Sequence, residues 1–248
     1  MASPPRTIPA GVAASTRPQS PARLGDVART AAVDFYYQSI RIVPANVSWG
    51  VAAVALIGVA AFVSPVLALA LCPLLSIPFV GVLRLAALVA RGEDVVLSDL
   101  VVSWRRFAVP AVLFGALVVA VVAVLVGNVV GGAAAGGPAG WAFATLAGWG
   151  LVLTWVIGLA FWSVLVDPAR EQLSIAGKVR LAVATVLAFP ARFGGLALFI
   201  AVVLTASAIA VVALLTIGLA YAALVTTRYT LSATDSVERW VEERGRAV

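Results

Sequence analysis

Three stretches of this chain contain no charged residue: 42 residues between Arg41 and Arg84, 60 between Arg106 and Asp167, and 35 between Arg192 and Arg228. An α-helix rises about 1.5 Å per residue and the hydrocarbon of a bilayer is about 30 Å thick, so one crossing takes about 20 residues. Each stretch exceeds one crossing and fits a helix folded back on itself. The pattern predicts an all-α, polytopic transmembrane helical bundle of about six spans arranged as three helical hairpins, with short cytoplasmic interfacial helices.

The first hairpin is expected over residues 46–63 and 66–90, turning at Ser64-Pro65, because proline disfavours helix in the residue before it. Pro73 and Pro78 are expected to kink its second limb. The second hairpin runs from Phe107 to Val130 and from Trp141 to Val166. Its connection, Gly131 to Gly140, reads as a glycine-rich loop, with Asn128 as a helix cap ahead of it. Residues 193–227 carry no proline or strong turn signal and fit either two short spans or one long tilted helix. Pairing is favoured because a single helix would carry Arg239, Arg244 and Arg246 to the far side. Around these spans, residues 1–24 read as a disordered cytoplasmic tail, 25–231 as the transmembrane domain and 232–248 as a cytoplasmic amphipathic C-terminal helix. Within 26–43 the mixture of Phe35, Tyr36, Tyr37 and Ile40 with Arg29, Asp34 and Arg41 predicts an interfacial helix, broken at Pro44 with Asn46 as the next cap.

Composition agrees with lipid as the solvent. Apolar residues are 62% and charged residues 11% of the chain, against about 45–50% and about 25% in soluble domains. The formal charge of +6 is spread over the connecting segments and forms no concentrated basic and aromatic face for nucleic acid. It serves orientation instead, since Lys and Arg are retained inside. Both termini and every charged segment are therefore expected on the cytoplasmic side of the inner (cytoplasmic) membrane. There is no histidine and a single cysteine, Cys72, read as a small hydrophobe, so disulfides and Cys/His metal sites are excluded. No phosphate-binding Gly-x-x-x-x-Gly-Lys loop and no intramembrane pair of carboxylates is present, so neither enzyme activity nor a cofactor is expected.

A similar pattern follows each hairpin: Leu97-Ser98 before Trp104, Arg105 and Arg106; Leu173-Ser174 before Lys178 and Arg180; Leu231-Ser232 before Arg239. Serine caps helices, and Ser232 with Asp235 has capping-box spacing. The expectation is three cytoplasmic helices lying along the membrane. Either they are what any chain acquires on leaving a bilayer, or they form a docking surface, with Ser98, Arg105 and Arg106 as candidate contacts. Asp94, Asp99, Asp167 and Glu171 read as solvated, and Arg239 is expected to pair with Glu243. Arg84, two turns into the second span, is the candidate intramembrane polar residue, expected to snorkel to water. Trp141, Trp155 and Trp162 share a heptad-like face, while Gly148, Gly150 and Gly158 permit close helix contact or line a substrate path.

Two resemblances bear on these residues. Glu171, Gly177, Leu187, Phe189 and Pro190 are spaced as in the cytoplasmic coupling loop of ATP-driven importer permeases, with Gln172, Leu173 and Ala176 departing from that pattern. The resemblance implies an ATP-binding transporter subunit as partner and makes Glu171, Gly177 and Pro190 candidate docking residues. Asn46 and Trp49, Ser64-Pro65, Arg91-Gly92-Glu93, Leu97-Ser98, Arg105-Arg106 and the C-terminal Arg228-Tyr229-Thr230-Leu231 with Asp235 resemble the bacterial YesL-like integral membrane proteins. That likeness implies an all-helical inner-membrane protein linked with carbohydrate import systems and transfers no catalytic residue. The expected role is an accessory, partner-docking component of a transport system, or alternatively a permease subunit that engages an ATPase through residues 171–190.

Overall fold

The computed structural model describes residues 22–210, 213 and 217–246. The expected tail over 1–24 lies almost wholly outside the described residues. Helix α1 (Leu24–Phe62) is followed by α2 (Pro65–Leu71), a 3₁₀ turn (Cys72–Leu75) and α3 (Ser76–Arg91). Then come α4 (Ser98–Ala135), α5 (Gly137–Leu165), a second 3₁₀ turn (Pro168–Arg170), α6 (Ile175–Ala188), α7 (Pro190–Ile209) and α8 (Leu219–Arg246). There is no strand among the described residues. Five units are long and apolar enough to cross a membrane: α1, α2 through α3, α4, α5 and α7.

The first turn forms as the sequence predicts. Ser64 caps α2 by accepting the Leu67 N–H at 3.4 Å, and Pro65 occupies the first helical position, where a missing N–H costs nothing. Pro73 opens the 3₁₀ turn that bends this limb. Pro44 behaves differently: it lies inside α1, and the helix runs through it. Ile42, Ala45 and Asn46, on both sides of the proline, are buried, and the helix continues past a residue that lacks one hydrogen bond. Asn46 is thus an interior residue and caps nothing, and the interfacial helix and the first span are one element.

The second turn is much tighter than a ten-residue loop. Helices α4 and α5 take up almost all of Gly131–Gly140, and Gly136, with φ 64° and ψ −169°, makes the reversal beside Gly137 at φ 67°. Only glycine adopts these angles freely. The other glycines bring the helices together, since a Cβ on Gly132 would lie 2.6 Å from the Gly140 carbonyl oxygen. Asn128 is an exposed residue inside α4.

The third stretch folds as a pair. Phe193 near the start of α7 stacks edge-on with Tyr229 of α8 at 5.7 Å, and Ser207 near the end of α7 meets Gly218 just before α8. The helices therefore run antiparallel, and a single long helix is excluded. Because the hairpins alternate in direction, the charged ends of α3, α4, α5 and α8 gather at one end of the bundle.

Of the three expected cytoplasmic helices, only α6 is separate. Ser174 caps it, accepting the Gly177 N–H at 3.1 Å. Ser98 opens α4, which continues through Arg106 into the membrane-spanning part. Ser232 and Asp235 lie within α8, so there is no capping box and the C-terminal amphipathic segment is the second half of that helix. In both cases continuous helix satisfies the backbone groups that a cap would otherwise serve.

Candidate functional site

The charged end is built by the segments that leave the three hairpins. Arg91, the last residue of α3, ends in a glycine stop, with Gly92 at φ 73°. Asp167 follows α5 and caps the second 3₁₀ turn by accepting the Ala169 N–H at 3.2 Å. Asp235 and Glu238 are one turn apart on α8. These elements converge: Arg91 donates to Asp167 at 3.0 and 2.7 Å and to Asp235 at 2.8 and 3.1 Å. Arg170 also pairs with Asp167, reaches Asp235 at 2.5 Å and meets Glu238 through its Nε at 3.0 Å. Each planar guanidinium presents several donors in a fixed fork, which lets one arginine bridge two carboxylates. Asp167 is 0% exposed. One ionic knot therefore ties the ends of all three hairpins.

A second group lies beside it. Arg84 donates to the Val166 carbonyl at 2.7 Å and to Glu171 at 2.6 Å, and Arg106, half exposed, reaches the other Glu171 oxygen at 2.7 Å. Lys178 is buried and donates to the Leu165 carbonyl at 2.9 Å. Arg84 and Lys178 thus satisfy carbonyls at the end of α5, where the helix dipole also favours cations. The Phe107 ring is approached by Arg84, Arg106 and Lys178 at 5.9, 5.7 and 6.0 Å, within the range of cation–π attraction. A third pair, Arg228 with Asp34, joins α8 to α1.

Burial lowers the Lys178 ammonium from its ordinary value, with the Glu171 charge opposing that shift. For Asp235, burial pushes the carboxyl up, but hydrogen bonds and charge from Arg91 and Arg170 more than offset it, leaving it below the usual carboxylate range. A carboxyl held low in the folded state binds fewer protons there than when unfolded, so it contributes stability above its unfolded value. That contribution is lost as pH falls through the lower folded value. Acid unfolding of an Asp235→Asn variant is accordingly expected to depend less on pH below the ordinary carboxylate range than that of the parent protein, as measured by thermal melts in detergent.

The sequence-derived candidates separate into two groups. Ser98 and Arg105 are exposed on the first two turns of α4, on a face that also presents Val101 and Val102, and Arg106 lies next to them. Pro190 is exposed at the first position of α7. Glu171 and Arg84 instead bind one another. Arg84 is held by Glu171 and the Val166 carbonyl, which lie within its reach. Glu171 and Asp167 are not a solvated face, and Arg239 donates to Ser236 at 3.2 Å. Around Gly177 there is ordinary room for a Cβ, the nearest atom being Ser174 Oγ at 3.4 Å, so nothing in this chain requires glycine there. Comparison with family models, with curated proteins and with solved structures returns no match. Among the described residues, no group of three or more His, Cys, Asp and Glu is placed to hold a metal ion.

Asp167 and Arg170 were the residues that sequence reasoning missed as partners. One signal was available: both follow directly on the longest charge-free run, where a charge leaving lipid has few waters and seeks a partner. The knot can orient and clamp. Its carboxylates are all engaged by guanidinium groups, so it offers no free base beside a nucleophile.

Proposed function

We propose that this chain is a multi-pass protein of the cytoplasmic membrane, with the ionic end and both termini in the cytoplasm, that docks a partner as an accessory component of a transport system. The orientation is supported by the gathering of Arg84, Arg91, Arg106, Arg170 and Lys178 at one end, because basic segments stay inside. The docking role rests mainly on α6. Its inner side buries Lys178, Ala182, Thr185 and Val186, while Ile175, Val179 and Leu187 form an exposed apolar row beside exposed Arg180. Ile175 and Val179 are one turn apart on one face, and Leu187 lies about 80° round the helix from Val179. The carboxylates of the neighbouring ion pairs are engaged within the chain, while this row and the Ser98–Arg105 face of α4 are exposed. The resemblance to YesL-like proteins supports a link with carbohydrate import.

The test places a photo-crosslinking residue at Val179 in native membranes, with Phe62 at the opposite end of the bundle as control. Cross-links to a soluble cytoplasmic protein from Val179, lost on Ile175→Asp and absent from Phe62, are the expected result. Exclusive cross-linking of Val179 to lipid would instead make α6 a helix lying in the bilayer surface and overturn the docking role. A second reading, a permease subunit that engages an ATPase, is favoured by one observation: α6 is a discrete, capped helix between two membrane-crossing elements. On that reading an ATP-binding subunit copurifies and is lost on Gly177→Arg.

A further inference from the structure

A recess of about 280 Å³ lies among α3, α4, α5, α7 and α8. Phe79, Val122, Trp155, Gly158, Trp162 and Leu204 contribute to its wall. No charged residue lines it among the described residues. Of the four polar side chains on the wall, Thr154, Trp155, Trp162 and Thr226, two are turned to backbone: the Thr154 hydroxyl donates to the Gly150 carbonyl at 2.8 Å, and the Trp155 indole N–H donates to the Ala197 carbonyl at 3.2 Å. The surface left to a guest is mostly apolar. It is also preformed, since Trp162 stands edge-on to Phe79 at 5.4 Å and to Phe114 at 4.9 Å.

Gly158 widens the space on the α5 wall. The glycines at helix crossings in this bundle are crowded: a Cβ on Gly150 would lie 2.9 Å from Leu125, and one on Gly140 would lie 2.5 Å from the Gly132 oxygen. A Cβ on Gly158 meets nothing within 4 Å. Glycine inside a helix costs about 0.5–1 kcal/mol relative to alanine, and here no close contact offsets that. What its missing side chain provides is volume in the recess. An apolar cavity of about 150 Å³ already admits benzene, so this one accommodates a longer guest.

The geometry points to a binding site for the alkyl chain of a membrane lipid. Helices α3, α4, α5 and α7 belong to elements long and apolar enough to span a bilayer, and the molecules surrounding such helices are lipid chains. The wall leaves no charge to hold a headgroup, so the chain enters and the headgroup stays outside.

The full-length protein is reconstituted in phosphatidylcholine vesicles containing a phosphatidylcholine with a photoactivatable diazirine on its acyl chain, and labelled residues are mapped by mass spectrometry. Labelling of Val122 and Leu204 is expected, along with Leu198 on the exposed side of α7. Gly158→Phe fills the recess and is expected to lower labelling of Val122 and Leu204 about tenfold, as filling a void excludes its guest, while Leu198 is unchanged. Val118→Trp, from the opposite wall, gives the same result where Gly158→Phe fails to fold. Absence of label at Val122 and Leu204 in the parent protein, or labelling that neither variant reduces, overturns the site. Labelling there by a free diazirine alkane but not by the lipid overturns the lipid as source.

Discussion

Asp167→Ala is expected to destabilise the protein by about 3–5 kcal/mol, because removing one partner from a buried ion group leaves the others uncompensated. The expected readout is an early loss of tertiary signal in thermal or denaturant melts of the purified protein in micelles. The reasoning depends on position. Asp167 is 0% exposed and is the carboxylate shared by Arg91 and Arg170. Without it, two guanidinium groups face each other with only the partly exposed Asp235 and Glu238 to neutralise them. Asp235 is 31% exposed, so water screens part of its loss and Asp235→Ala is expected to cost clearly less. An equal or larger effect of Asp235→Ala would show that Asp167 is not the centre of the knot.

The consequence of losing Asp167 reaches beyond one contact. Arg91 ends the first hairpin, Asp167 the second, and Asp235 lies on the helix that completes the third. Between apolar helices in lipid there is no hydrophobic driving force, and association relies on packing and polar contacts. The packing is provided by glycine crossings such as Gly132 against Gly140 and by aromatic contacts such as Phe114 with Phe161 at 4.1 Å. The ionic knot adds directionality at the end where lipid gives way to water, and it sets α6 and the first turns of α4 in fixed positions relative to one another.

The hairpins were legible because charge is excluded from lipid, so the gaps between Arg41 and Arg84, Arg106 and Asp167, and Arg192 and Arg228 mark folded-back helices directly. Ser64-Pro65 was legible for a local reason, a side-chain cap joined to a residue that cannot continue a helix. What escaped depended on tertiary contact. Pro44 looks like a break until Ile42 and Asn46 are seen buried on either side of it. Gly131–Gly140 has the composition of a loop, yet its glycines serve mainly to let two backbones touch. The post-hairpin serines repeat convincingly, but a cap is needed only where a helix begins, and α4 and α8 pass straight through the expected boundaries. Pairing of Arg84 with Glu171 spans 87 positions, a distance over which no local pattern carries information.

That pair carries the second large effect. Glu171→Ala is expected to cost about 3–5 kcal/mol, since it leaves Arg84, Arg106 and Lys178 around Phe107 without a carboxylate. Arg84 is only 15% exposed and cannot exchange its partner for bulk water, whereas Arg106 is 50% exposed and its arm of the bridge contributes about 1 kcal/mol or less. Arg106→Ala should therefore be mild. Arg84→Met removes the buried cation but orphans the Val166 carbonyl, a loss of about 1–3 kcal/mol. The double variant Arg84→Met with Glu171→Gln is expected to be more stable than Glu171→Ala alone, because no unpaired buried charge remains at Arg84. In a double-mutant cycle the two sites then show strong coupling, as residues sharing one ion pair do. Additive effects of the two changes would mean that Arg84 reaches water without Glu171, and the bridge would then be a surface contact of little consequence to the bundle.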